Sequence, residues 1–114
     1  METAVPASHL ERAEATRVEL WPGVFRRTLV WGTRVLLCEV ELPAGAHVQP
    51  HAHLQEQIGY VARGNLRFTV AGKSFDVGAG GGYFVPSGER HEVLALADSI
   101  AVDVFSPVRD EYKD

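Results

Sequence analysis

Leu36-Leu37-Cys38-Glu39-Val40-Glu41-Leu42 is the stretch from which the fold reads. Side chains alternate along an extended strand, so Leu36, Cys38, Val40 and Leu42 share one face while Glu39 and Glu41 share the other. Pro43-Ala44-Gly45 then ends the run. The same period of two continues downstream. Residues 57–62 form one expected strand, and Gly64-Asn65 suits a tight hairpin turn. Leu66, Phe68 and Val70 alternate with Asn65, Arg67 and Thr69 until Gly72 marks the next turn. Further short strands are expected at 74–77, 83–86, 90–97 and 100–105. With no long helical segment among them, the pattern indicates an all-β sandwich or barrel.

Upstream the character differs. Ser8-His9-Leu10-Glu11 fits a capping box, and the residues to Arg17 are rich in Ala, Glu and Arg. The apolar face there is thin, so residues 1–20 are expected as a short helix or a mobile arm ahead of one domain at 21–114. A chain of 114 residues fits a single domain, and 46% hydrophobic against 23% charged residues places it with globular proteins rather than disordered ones. The net charge of −4, with scattered arginines, excludes a nucleic-acid footprint. Apolar stretches are too short to span a bilayer, and Met1-Glu2-Thr3-Ala4-Val5-Pro6 lacks the basic start and apolar run of a secretory signal. The expectation is a soluble, cytoplasmic protein without a membrane partner. Cys38 is the single cysteine, which rules out an internal disulfide and a four-cysteine zinc site; its strand position makes it a core thiol.

The histidines carry most of the chemical information. His51 and His53 are two apart and Gln57 follows with the same parity. His91 lies on a later strand, sharing a face with Val93 and Ala95. Three imidazoles and one amide oxygen converging from separate strands would hold a divalent metal with positions left open. An H-x-H pair by itself more often marks surface or core histidines than a metal site. His47 falls outside the ligand spacing, His9 belongs to the arm, and Glu56 has the opposite parity to Gln57. Gly78-Ala79-Gly80-Gly81-Gly82 lacks the phosphate-loop pattern and reads as a rim turn. Trp21, Trp31, Tyr60, Tyr83 and Phe84 read as core or interface aromatics.

Spacing narrows the choice. Gly45-x5-His51-x-His53-x3-Gln57-x6-Gly64 resembles the first motif of the cupin superfamily, with Gln where Glu is commonest. Gly80-x5-Pro86-x-Gly88-x2-His91 resembles the second, with Ala95 for the usual Asn and Gly81 where Asp is common. The resemblance implies a double-stranded β-helix, a jelly-roll barrel, with a metal held by His51, His53, Gln57 and His91. A neutral amide ligand would leave the ion one negative charge short of the commoner set, and so more inviting to an anion. Nickel or zinc is favoured for the ion, with manganese and iron compatible.

The ending sharpens this. Asp103-Val104-Phe105-Ser106-Pro107-Val108-Arg109-Asp110-Glu111-Tyr112, together with His53-Leu54-Gln55-Glu56-Gln57-Ile58-Gly59-Tyr60-Val61, resembles the small pectin-degradation cupins of the KdgF type. That family converts 4,5-unsaturated monouronates, left by polyuronate lyases, from ring to linear keto form. The resemblance implies catalytic roles for Asp103, Phe105 and Arg109, and a small anionic sugar as substrate. Alternation supports the assignment, since Ala101, Asp103 and Phe105 share one strand face and Ile100, Val102 and Val104 the other. Arg109 also fits a surface ion pair with Asp110 or Glu111. The apolar outer face at 100, 102 and 104 suggests a homodimer. Two other functions share these features: a cupin isomerase or cyclase for another carbonyl or enol substrate such as a polyketide, and a ligand-binding cupin without turnover.

Overall fold

A computed structural model describes residues 5–114. Its described residues form ten strands: β1 (Arg17–Trp21), β2 (Val24–Trp31), β3 (Leu36–Leu42), β4 (His47–His51), β5 (Glu56–Arg63), β6 (Asn65–Val70), β7 (Lys73–Gly78), β8 (Gly82–Val85), β9 (His91–Ala95) and β10 (Ser99–Ser106). They make two antiparallel sheets, one ordered β1-β2-β3-β10-β5-β8 and the other β4-β9-β6-β7. From β3 onward the chain changes sheet at every connection except β6 to β7. That winding is the double-stranded β-helix. No described helix is long and apolar enough to cross a membrane.

The alternation in β3 survives intact, with Leu36, Cys38, Val40 and Leu42 buried and the residues between them half-buried. Opposite them, the smaller sheet contributes Leu66, Phe68, Val93 and Ala95 to the same core. Phe68 stacks near Tyr83 with ring centroids 4.1 Å apart, joining the two sheets through one aromatic contact. Each such fully buried large side chain contributes about 1.5–3 kcal/mol.

Two expectations change on folding. Gly64-Asn65 is not a hairpin: β5 pairs with β10 and β8, whereas β6 pairs with β7 and β9. Gly64, at φ +91°, is the single residue between strands of different sheets, and a Cβ there would collide with Ser99 Oγ. Ser99 Oγ holds the crossing by accepting from the Asn65 amide at 3.0 Å. The hairpin in this stretch is β6–β7, turned by Ala71 and Gly72, both at positive φ.

The stretch from Leu10 to Arg17 contains one 3-10 turn at Arg12–Glu14, with no side-chain cap. Arg12 instead pairs with Glu39 on the sheet, Nε to Oε1 at 2.8 Å. The sheet already begins at Arg17, inside the stretch read as an arm. The expected arm or helix at residues 1–4 lies outside the described residues. The glycine-rich link between β7 and β8 is pinned by backbone bonds, Gly80 N to Val61 O at 2.7 Å and Val61 N to Gly81 O at 2.9 Å.

Candidate metal centre and active site

His51 and His91 face each other across the β4–β9 pair, with ring centroids 4.3 Å apart. His53 follows the end of β4 and turns its ring into the same space, 4.9 Å from His91. The extended parity expected of His51-x-His53 is thus met by a strand end and a loop rather than by one strand. The three imidazoles bring ligating nitrogens within 4.8 Å of one another.

Their protonation is set by the backbone. His51 Nδ1 is 2.8 Å from Gln49 O, His53 Nδ1 is 3.0 Å from Gln55 O, and His91 Nδ1 is 2.9 Å from Glu89 O. A carbonyl oxygen only accepts, so each Nδ1 donates and each neutral ring keeps a lone pair on Nε2. Burial disfavours the charged form of all three, and lowers His91 to about 4.

Gln57, on β5, lies beside His53. Its Oε1 lies 3.1 Å from His53 Nε2. Both are acceptors with no proton between them, a repulsive contact unless a cation joins them. Three imidazole lone pairs and one amide oxygen therefore fit a divalent metal, and the fit comes from the donor atoms themselves.

The other face of Gln57 meets Asp103. Gln57 Nε2 donates to Asp103 Oδ1 at 3.0 Å, and the Tyr83 hydroxyl donates to the same oxygen at 2.5 Å. Asp103 is buried on β10 beside Ala101 and Phe105, on the face that alternation assigned. Burial raises its pKa, opposed by the two hydrogen bonds, and burial also holds Tyr83 well above the usual phenol range.

Phe105 stands edge-on to His53 at 5.5 Å. Arg109 lies just past the strand, its guanidinium 4.0 Å from the Tyr112 ring and 5.0 Å from Phe105. It also donates to Glu111 Oε1 at 2.9 Å, so the surface-pair reading and the cavity reading both describe it. His51, Gln57, His91, Asp103, Phe105 and Arg109 all line one cavity that opens to solvent.

The structure thus gathers all seven residues singled out from the sequence. His47 sits on β4 but pairs with Glu92 at 2.8 Å, and Glu56 is exposed. Sequence reasoning missed Tyr83, a ring that reads as core but whose hydroxyl reaches the site carboxylate, and it missed Tyr112 in the cavity lining as well. The row Asp103–Gly59–Tyr83, opposite one another on β10, β5 and β8, is visible only once the strands are paired.

Comparison with known proteins agrees with this geometry. The family described as Cupin domain matches residues 38–106. The pectin degradation protein KdgF of Dickeya dadantii (strain 3937) is 31% identical over 96 residues, 82% of this chain and 87% of the relative. The structure of KdgF from Halomonas sp. superposes with a TM-score of 0.86 at 29% identity, covering 93% of this chain and 98% of that one. An RmlC-like cupin from Shewanella frigidimarina NCIMB 400 gives 0.85 at 25% identity, covering 93% and 96%.

Proposed function

The chain belongs to the cupin family, and from that membership we propose that it is a metal-dependent enzyme converting 4,5-unsaturated monouronates to their linear keto form. One observation carries the reading. A donor set suited to a divalent ion, a buried carboxylate and an arginine converge on one open-mouthed cavity. The likeness to KdgF proteins over most of both chains supports the same choice of substrate.

His51, His53, Gln57 and His91 would hold the ion, which is nickel or zinc by preference, with manganese and iron compatible. When bound, such an ion supplies Lewis-acid stabilisation of negative charge on oxygen. All four ligands are neutral, so the site keeps an excess of positive charge that suits a uronate.

Arg109 grips the sugar carboxylate through its planar fork, exchanging the exposed Glu111 for the substrate. Phe105 walls the cavity beside His53 and excludes water. Asp103 takes the proton of the anomeric hydroxyl as the C1 carbonyl forms and the bond from C1 to the ring oxygen breaks. The enol released at C5 then receives a proton at C4 and becomes a ketone. One proton leaves and one returns, so the reaction is an isomerisation and needs no oxidant or reductant. Both hydrogen bonds to Asp103 end on Oδ1, which leaves Oδ2 to face the sugar.

The test follows the ultraviolet absorbance of a lyase-generated unsaturated monouronate with the protein, its Arg109→Ala variant and buffer. Faster loss with the intact protein than with either control is the expected result. Equal decay in all three, with metal bound, removes the assignment.

A homodimer accompanies this reading. Ile58, Tyr60 and Phe84 are about half exposed on the outer face of the larger sheet, and Val102 and Val104 lie beside them in register. A monomeric mass in light scattering at micromolar concentration argues against it.

A further inference from the structure

Resting on that reading of the metal centre, we propose that Tyr83 is a positioning residue. Acting through Asp103, its hydroxyl fixes which end of the Gln57 amide faces the imidazoles. The observation is a single row across three strands. Asp103, Gly59 and Tyr83 stand directly opposite one another on β10, β5 and β8. The outer two strands of such a row are separated by two strand spacings, roughly 9–10 Å, and the middle side chain ordinarily fills the gap. Gly59 has none. A Cβ there would overlap both Cζ and the hydroxyl of Tyr83. The tyrosine ring lies across the glycine and reaches Asp103 at 2.5 Å.

The consequence passes to Gln57, two residues before Gly59 on the same face of β5. An ionised carboxylate only accepts, so Gln57 must turn its NH₂ toward Asp103 Oδ1, and its oxygen then points to His53 Nε2. Reversing the amide would press Oε1 against Oδ1 and set an N–H, which cannot ligate a cation, among the imidazoles. The Tyr83 hydroxyl holds Oδ1 in the position that enforces the productive orientation. The same row accounts for an amide at position 57 where a carboxylate is commoner in such motifs. A glutamate in place of Gln57 would bring a second buried carboxylate against Asp103, and the two could not both stay ionised.

The test is a double-mutant cycle read by Co²⁺ binding to the metal-free protein, using the visible absorption of bound cobalt and no turnover. Tyr83→Phe is expected to weaken cobalt binding roughly tenfold or more when Gln57 is present. In the Gln57→Ala background the same substitution should change it little, because the amide it positions is gone. Equal losses in both backgrounds would mean that Tyr83 acts by general packing, and no loss in either would mean that it does not act; both overturn the proposal. A second measurement needs no variant. In ¹⁵N-labelled, metal-free wild-type protein the Gln57 side-chain amide protons should exchange slowly, and free exchange overturns the proposal. Cobalt binding without conversion of the sugar would sink the uronate assignment and leave this one standing. A wild-type chain that takes up no cobalt overturns both.

Discussion

Arg26, buried on β2, holds the side-chain carboxylate of Asp114, with Nη2 2.6 Å from Oδ2 and Nη1 3.0 Å from Oδ1. Arg26 Nη1 also donates to Tyr112 O at 3.1 Å, and the guanidinium carbon lies 4.2 Å from the Tyr112 ring. Arg109 rests on the same ring at 4.0 Å. A charge inside the larger sheet therefore ties down the segment that carries the proposed substrate-binding arginine.

The first prediction follows from that tie. Arg26 is about 2% exposed and its Nε has no partner, so Asp114 is what balances the buried charge. Removing one member of such a pair leaves the other uncompensated. Asp114→Asn should destabilise the fold by about 1–3 kcal/mol, the upper end being limited by the partial exposure of the carboxylate. Urea unfolding measures it. An unchanged midpoint would show that water serves Arg26 as well as Asp114 does.

Gly59 gives the second. Its backbone is ordinary for a strand, so a methyl group there meets only a steric obstacle, the overlapping Tyr83 ring. Gly59→Ala should cost about 1–3 kcal/mol or more, since the ring cannot stay where it is. The same substitution in a Tyr83→Ala background should be far milder. If both backgrounds suffer alike, the glycine is needed for something other than room for the tyrosine.

How much of this was legible from sequence depends on where each signal resides. The β3 alternation and the Ala101, Asp103, Phe105 face survive folding because burial on one side of a strand imposes a local period. The candidate ligands were legible through the resemblance of the Gly45 to Gly64 and Gly80 to His91 stretches to cupin motifs, since spacing alone does not bring His91 to His51. β4 was not, since His47-Val48-Gln49-Pro50-His51 has polar residues and a proline where an apolar alternation would announce a strand. The change of sheet at Gly64 was invisible for another reason: period two is the same on either side of it, and only tertiary pairing tells a hairpin from a crossing. Tyr83 shows a further limit. Its burial could be inferred from its strand, but the carboxylate that its hydroxyl reaches lies two strands away.

The third prediction concerns metal removal. The Gln57 Oε1 and His53 Nε2 lone pairs face each other at 3.1 Å, so the metal-free site holds a repulsion that a cation relieves. Protein stripped with a chelator should regain one equivalent of divalent ion and melt higher when it does. At a free ion concentration of 100 times the dissociation constant the gain is about 2.7 kcal/mol. His91→Ala should abolish most of that gain. Calorimetry with and without added ion decides, and identical melting curves would count against a centre at these four residues.

Arg109 supplies the last. Its guanidinium lines the cavity beside Phe105 and Tyr112 and holds Glu111 through Nε at 2.9 Å. Lysine in its place keeps the charge but loses the planar pair of donors that matches a carboxylate. If Arg109 binds the uronate carboxylate in ground and transition states alike, Arg109→Lys should raise KM for the unsaturated uronate with kcat little changed. The loss of one bidentate, charge-assisted contact corresponds to about 1.5–3 kcal/mol, or roughly ten- to a hundredfold in kcat/KM. Arg109→Ala should lose more, because the ring contacts go with the charge. Steady-state kinetics of the three proteins separates the cases. A fall in kcat at constant KM would move Arg109 from holding the substrate to stabilising the transition state, and unchanged kinetics would return it to the surface pair with Glu111.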